Sequence, residues 1–357
     1  MFGLEKLFSG KGVAGLDIGS SSLKLAEISD TPEGYELKTL AGIDLPRNVI
    51  AGGVILDRET LTGKIRELFK NSGCKARNIV TSLSGHNVII KRTGFSSMDE
   101  EEFRLLLNDE ADKYLPFEDI REVNFDFQIL GESDTTPGQM DVVLAAARKE
   151  IINTFMEAVN KAGLKVVIMD VDPFALETMY EANYDFEEQD VVVLVNIGAS
   201  ITNINVIKKG GSIFTRDFSI GGDAITEIIQ KKLGIEFDEA EAVKTAVSGG
   251  REDRGVTASD LVEIADPILS EIERSVDYFR STYGSEFIRR VIAGGGSAVI
   301  PGILPALTQR LNIETELVNP LQNIRIDRKK FDQHNLEEIG SRTAIAVGLA
   351  LRRLNDR

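Results

Sequence analysis

The sequence predicts an α/β protein made of two related lobes that face each other. Three observations support this. Short β-branched runs alternate with amphipathic helical stretches along the whole chain. A strand–glycine turn–strand unit occurs twice, about half a chain apart. The 357 residues, 42% of them apolar, can fill the cores of about two domains at roughly 150 residues each.

Taken in chain order, the strand candidates are 13–16, 23–28, 78–82, 142–146, 166–171, 191–195 and 290–293, runs of Val, Ile and Leu bounded by polar or glycine residues. Helical spacing of apolar residues predicts helices over 60–71, 149–162, 223–233 and 260–283. Segment 79–171 has a different character. It holds the acidic stretch 99–119, with nine acidic and two basic residues, where Phe103, Leu106, Leu107, Ala111 and Tyr114 keep helical spacing. That stretch reads as an ordinary helix with a solvated face or as a partner-facing surface. A Gly-, Ser-, Thr- and Pro-rich surface connection follows over 131–139.

The repeat is read directly. VAGLDIGSSSLKLAEI begins at Val13 and VVLVNIGASITNINVI at Val192. Overlaying Gly19 on Gly198 pairs Asp17 with Asn196, Ile18 with Ile197, Ser21 with Ser200 and Leu25 with Ile204. In the first unit, Gly19 and Ser20 to Ser22 make a small-residue turn whose N–H and hydroxyl groups can hold phosphate oxygens. Asp17 stands at the strand end, where a carboxylate can orient Mg²⁺-bound water, and Lys24 adds a point charge. Alone, the motif fits an ordinary hairpin as well as a nucleotide site. In the second unit Asn196 brings an amide where the first has a carboxylate, so it supplies no charge to a metal. Two more glycine turns follow. Gly221-Gly222-Asp223 opens a helix, with Asp223 expected as N-cap. The run from Ala293 through Gly294, Gly295 and Gly296 to Ser297 permits close approach of a flat ligand.

Charge and cysteine content narrow the function classes. With 41 basic and 57 acidic residues the formal charge is −16, which argues against a broad nucleic-acid footprint and against bulk attraction to anionic lipid. One cysteine, Cys74, excludes an internal disulfide; with only His86 and His334 beside it, no Cys/His zinc cluster is readable. His86 is expected in a loop, and no Ser/His/Asp arrangement is readable. The opening MFGLEKLFSGKG is interrupted by Glu5 and Lys6 and lacks the apolar stretch of a signal peptide. No run approaches the ~18 apolar residues of a membrane span. The expectation is a soluble, cytoplasmic protein.

Four glycine turns in this order resemble the actin-like ATPase superfamily of actin, Hsp70 chaperones and sugar kinases. Within it the chain is similar to the FtsA-like branch and to the PilM family of type IV pilus inner-membrane assembly proteins. GLDIGSSSLKLAEI resembles the first phosphate motif, VNIGASITNINVI the second, GGDAIT the glycine pair beside them and AGGGSAVIPG the adenosine motif. KYLPFEDIREVNFDFQIL and TAIAVGLALR resemble the PilM-like branch itself.

The resemblance implies an actin-like fold with ATP and Mg²⁺ between the lobes. It implies a first lobe over 1–78 and 166–190, onto which 341–357 packs back. An inserted FtsA-like subdomain would occupy 79–165. The second lobe would span 191–340, with a helical subdomain near 224–286. By the same resemblance Asp17, Gly19, Ser20, Ser21, Ser22 and Lys24 fall on the first phosphate motif, and Gly198, Ala199, Ser200 and Thr202 on the second, with Gly221 and Gly222 beside them. Gly294 to Gly296 and Ser297 flank the nucleoside, Glu241 and Lys244 lie near ribose and base, and Asp172 positions water. Asn196 stands where active members carry aspartate, which implies at most a slow ATPase. The implied partners are the cytoplasmic N-terminal tail of PilN and other pilus assembly proteins, with recruitment to the inner face of the inner membrane, a part in twitching motility, and no nucleic acid. A polymerising FtsA-like protein and an actin-fold small-molecule kinase are the alternatives.

Overall fold

The computed structural model describes residues 12–133, 136–185, 187, 189–283, 287–332, 336 and 339–353. Residues 1–11, His334 and the centre of the 131–139 connection lie outside the described residues.

The first sheet is built from β1 (Val13–Ile18), β2 (Ser22–Thr31) and β3 (Gly34–Asp44), with β4 (Ile50–Ala51) and β5 (Val54–Ile55) forming a separate small hairpin. Helix α1 (Arg58–Ser72) leads to β6 (Asn78–Leu83). α1 starts where Asp57 accepts a hydrogen bond from the Thr60 N–H at 3.0 Å, and stops at Gly73, which adopts φ +69°. After a turn over Gly85–Asn87 come β7 (Val88–Ser96), α2 (Glu100–Tyr114), β8 (Val123–Glu132), β9 (Gln139–Arg148), α3 (Lys149–Lys161), β10 (Lys165–Val171) and α4 (Asp172–Asn183). β1, β6 and β10 run parallel, β1, β2 and β3 antiparallel, in the order β3-β2-β1-β6-β10.

The second sheet repeats this order. β11 (Val191–Ile197), β12 (Thr202–Lys208), β13 (Gly211–Phe218), β14 (Ile288–Gly294) and β15 (Thr315–Leu317) are arranged β13-β12-β11-β14-β15, again with one antiparallel meander and one parallel half. β11 is buried along nearly its whole length and reads as the near-continuous apolar run of a central strand. Helices α5 (Gly222–Leu233), α6 (Phe237–Ser248), α7 (Ala258–Ile264) and α8 (Asp266–Tyr283) pack with α9 (Ile303–Leu311) around one apolar core of this half. The single helix expected over 260–283 is two: the chain turns at Ala265, just before Pro267, which has no N–H for the ladder. A capping box between Thr257 and Asp260 starts α7.

β7, β9 and β8 form a separate three-stranded antiparallel sheet with α2 on one face. Phe103 of α2 is fully buried, edge-on to Phe95 with ring centroids 4.6 Å apart. Asp99 caps α2 by accepting from the Glu102 N–H.

Helix α10 (Ala344–Leu351) is buried at every residue. A helix apolar all round must lie inside, and α10 lies with α4 in one layer that touches both five-stranded sheets. The approach is close enough to demand glycine on both sides. A Cβ on Gly15 of β1 would collide with the Ala346 carbonyl, and one on Gly348 with the Ala175 carbonyl of α4. Gly348→Ala is therefore expected to cost about 1–3 kcal/mol by overpacking, or to prevent folding. Gly63→Ala, in α1 with nothing near the added methyl, should instead stabilise by about 0.5–1 kcal/mol. Thermal denaturation of both variants beside wild type checks this.

Candidate functional site

The two repeat units are two hairpins of the same construction. In each, the turn glycine donates its N–H three residues on: Gly19 to the Ser22 carbonyl at 3.2 Å, Gly198 to the Ile201 carbonyl at 3.0 Å. Each hairpin also pairs the strand-end residue with its cross-strand neighbour. In the first that pair is Asp17 opposite Lys24, an ion pair at 3.1 Å. In the second it is Asn196 opposite Asn203, where the Asn196 amide donates to Asn203 Oδ1 at 3.2 Å. The duplicated backbone thus holds an ion pair on one side and a neutral amide pair on the other. The turns meet through Ser200, whose hydroxyl donates to Ser20 Oγ at 2.7 Å.

Around this meeting point the structure forms a cleft of about 1190 Å³. Asp17, Gly19 to Ser22, Lys24, Asp172, Asn196, Gly198 to Ser200, Gly222, Glu241, Lys244 and Gly295 to Ser297 all line it. Three expected residues do not. Thr202 is fully buried and donates its hydroxyl to the Ile220 carbonyl, fixing the chain that leads into α5. Gly221 is pressed against the second turn, where a Cβ would meet the Ala199 carbonyl at 2.6 Å. Gly294 lies beneath the wall, against Val318 and the Ser341 carbonyl.

The close approach at Gly221 also sets the start of α5. The Gly222 and Asp223 N–H groups donate to the Gly198 and Ala199 carbonyls at 2.9 and 2.8 Å, so Gly221 holds the N-cap position and Asp223 lies in the first turn, not at the cap. Across from it, Gly295 adopts φ +91° against the Ile197 carbonyl, and the Ser297 N–H reaches the same oxygen at 3.2 Å. Lys244 is buried; its ammonium donates to the Gly222 carbonyl at 3.1 Å and to the Thr226 hydroxyl at 2.8 Å, and pairs with Glu241 at 2.6 Å. The base of α5 and the face of α6 are thereby locked together.

Asp172 opens α4 ahead of Pro173 and accepts from the Ser82 hydroxyl at 2.5 Å. Burial pushes its carboxyl well above the usual carboxylate range, and the charges of Asp17 and Asp217 add to the shift. Asp217 is the residue that local sequence signals do not show. It sits opposite Asn203 in the β12–β13 ladder and accepts the Gly85 N–H at 2.7 Å, from the turn that leads into the three-stranded sheet. Burial raises its carboxyl too, while the facing Asn203 amide and the Gly85 N–H act to hold it down. His86 lies in that same turn, with Nε2 2.9 Å from the Ser219 hydroxyl.

These contacts make a cradle of tight glycine turns lined by the serines 20 to 22 and Ser200, with the Asp17 carboxylate paired to Lys24 at its side. Such a cradle suits a polyanion with a hydrated cation. Among the described residues there is no cluster of three His, Cys, Asp or Glu that could hold a metal directly. The raised Asp172 carboxyl has a consequence for stability. Folded Asp172 keeps its proton above the ordinary value of 3.8, so stability is full below that value and is lost as pH rises through the raised one. Asp172→Asn is expected to be more stable than wild type near pH 8, with the gain shrinking to nothing below about pH 4. Urea unfolding across that range measures it.

Comparison with known proteins gives a consistent picture. The family described as Type IV pilus assembly protein PilM matches residues 15–354. A solved PilM–PilN type IV pilus biogenesis complex contains a chain 30% identical to this one, with a TM-score of 0.83 over 96% of this chain and 99% of that one. MreB5 of Spiroplasma citri, solved with ADP, shares the fold at a TM-score of 0.51 and 11% identity, over 95% of each chain. The cell division protein FtsA of Enterococcus faecalis is 26% identical over 202 residues, 51% of this chain but only 45% of that relative. FtsA of Pseudomonas aeruginosa is 22% identical over 87% of this chain and 84% of its own length. Among the described residues, no helix is long and apolar enough to cross a membrane. With an actin-like α/β fold and the family match over nearly its whole length, the chain belongs to the PilM family of type IV pilus assembly proteins.

Proposed function

We propose that this chain is a nucleotide-binding assembly factor of the type IV pilus inner-membrane complex, with ATP and Mg²⁺ in the cleft and the cytoplasmic tail of PilN as partner. The observation that supports the nucleotide most is the meeting of two equivalent hairpin turns at Ser20 and Ser200, inside one cleft that also gathers Asp17, Lys24, Gly222 and the 295–297 turn. Gly19, Ser20, Ser21, Ser22, Gly198, Ala199 and Ser200 would hold phosphate oxygens, Lys24 would add charge, and Asp17 would hold Mg²⁺ through water, with Asn196 opposite. Glu241, Lys244 and Ser297 line the end that would take ribose and base. A relative of the same fold, MreB5, is solved with ADP.

The metal side of the site favours binding over rapid turnover. Asn196 is neutral and spends its amide on Asn203, so a cation there has one carboxylate, Asp17, rather than two. We read Asp172 as the residue that positions water in whatever hydrolysis occurs.

We divide the chain into a first lobe over 1–78 and 166–190, an inserted subdomain over 79–165 and a second lobe over 191–340, with 341–357 returning to the first. The PilN reading rests on the similar chain solved in a PilM–PilN complex. Capture of a PilN tail would bring the chain to the inner face of the inner membrane.

Binding of fluorescent ATP with Mg²⁺ tests the first half of this reading. Wild type should bind saturably, and Asp17→Ala should weaken binding about tenfold or more, as expected for losing a charge-assisted contact to the hydrated cation. No saturable binding by folded wild type would refute the nucleotide. A fluorescent PilN-tail peptide tests the second half: binding that is absent both with and without nucleotide would refute the partner.

A further inference from the structure

One pair of side chains bridges the mouth of the cleft. The loop 45–48 follows β3 in the first half of the chain, and its Leu45 N–H donates to the Ser21 carbonyl at 2.8 Å, so the loop is tied to the first hairpin turn. Pro46 restricts the loop on one side of Arg47 and Asn48 adopts φ +62° on the other. The Arg47 guanidinium lies 3.5 Å from the ring centroid of Phe237, the first residue of α6, and pairs with Glu227 of α5 at 3.5 Å. Both Arg47 and Phe237 line the cleft. Four and seven residues beyond Phe237, on the same helix, are Glu241 and Lys244.

An exposed ion pair alone contributes little. Here the guanidinium also lies over the face of an aromatic ring, on a loop restricted by Pro46 and Asn48, and the two contacts join elements that nothing else ties together at that edge among the hydrogen bonds described. We propose that Arg47, stacked on Phe237 and paired with Glu227, is a latch across the mouth of the cleft that governs how fast its ligand enters and leaves. This rests on the reading of the cleft as a nucleotide site. The latch acts on passage: with it closed, ligand exchange waits for the guanidinium to leave the ring. Its position on the Ser21-tethered loop also makes it responsive to whatever occupies the first turn.

Stopped-flow kinetics with fluorescent ATP and Mg²⁺ tests the latch, release being followed by chase with excess unlabelled ATP. Arg47→Ala should release nucleotide about tenfold faster and also bind it faster, so that affinity changes less than either rate. Phe237→Leu should do the same in smaller measure. Release within twofold of wild type overturns the latch. So does faster release with an unchanged association rate, which marks a residue that merely touches the ligand. If wild type binds no nucleotide, the nucleotide reading falls and amide hydrogen exchange of the ligand-free protein decides the latch. Arg47→Ala should then speed exchange at Leu45, Gly222 and Asp223, with α2 unchanged as internal reference. Equal exchange in the two proteins overturns it.

Discussion

Two helices serve two sheets at once, and the placement of the cleft follows from that. α4 and α10 fill a single apolar layer that packs on Ala26, Ile28 and Val80 of the first sheet and on Val192, Leu194 and Ile292 of the second. α10 has no free side for water and is built from apolar residues on every face, while α4 keeps one partly exposed side, with Glu181 in solvent. Polar ties complete the junction. Asn205 of β12 donates to the Pro173 carbonyl at 2.8 Å, and Ser212 of β13 donates to Glu177, whose carboxyl is pushed up to about 7 by burial. Asp172 opens the same α4, so the residue at the cleft floor is held by the layer that joins the two halves.

From this junction the two hairpins project toward each other, and the electrostatics of the cleft become those of crowded acids. Asp17, Asp172 and Asp217 lie near enough for each of the other two charges to lift Asp172. Lys24 is committed to Asp17 and Lys244 to Glu241 and Thr226. The Asp217 link to the Gly85 N–H also joins this acidic floor to the turn that feeds the three-stranded sheet. A Cβ on Gly85 would press on Ile201 of the second turn at 2.8 Å, so that joint is tightly packed as well as hydrogen-bonded.

The central strands and the repeat are legible in the sequence because each half has one apolar core strand followed by a glycine turn, a pattern that survives without any tertiary information. The edge strands β3, β7 and β8 are harder to read, since β3 buries one residue in eleven and β7 one in nine, so burial imposes little pattern on their sequences. Of the site, the glycine turns, Asp17 and Lys24 are visible because they are local. Asp217, Arg47 and Phe237 are not: each acquires its role from a partner far away in the chain, and Asp217 and Phe237 occur in segments with ordinary strand and helix patterns. The break between α7 and α8 was signalled by Pro267, but the apolar spacing on either side continues across it. Thr202, expected to face a ligand, turns inward because successive strand residues point to opposite faces and it is the next one, Asn203, that lines the cleft; the Ile220 carbonyl takes the Thr202 hydroxyl instead.

A backbone that is nearly twofold symmetric offers an occupant two equivalent ways to lie. The side chains at the strand ends remove that ambiguity. One hairpin presents a carboxylate with its lysine, the other two uncharged amides, at matching positions on matching frames. The cradle therefore has a head and a tail. An occupant whose own ends differ in charge finds one orientation favoured over the twofold-related one, and at the two hairpins that polarity is written in four side chains.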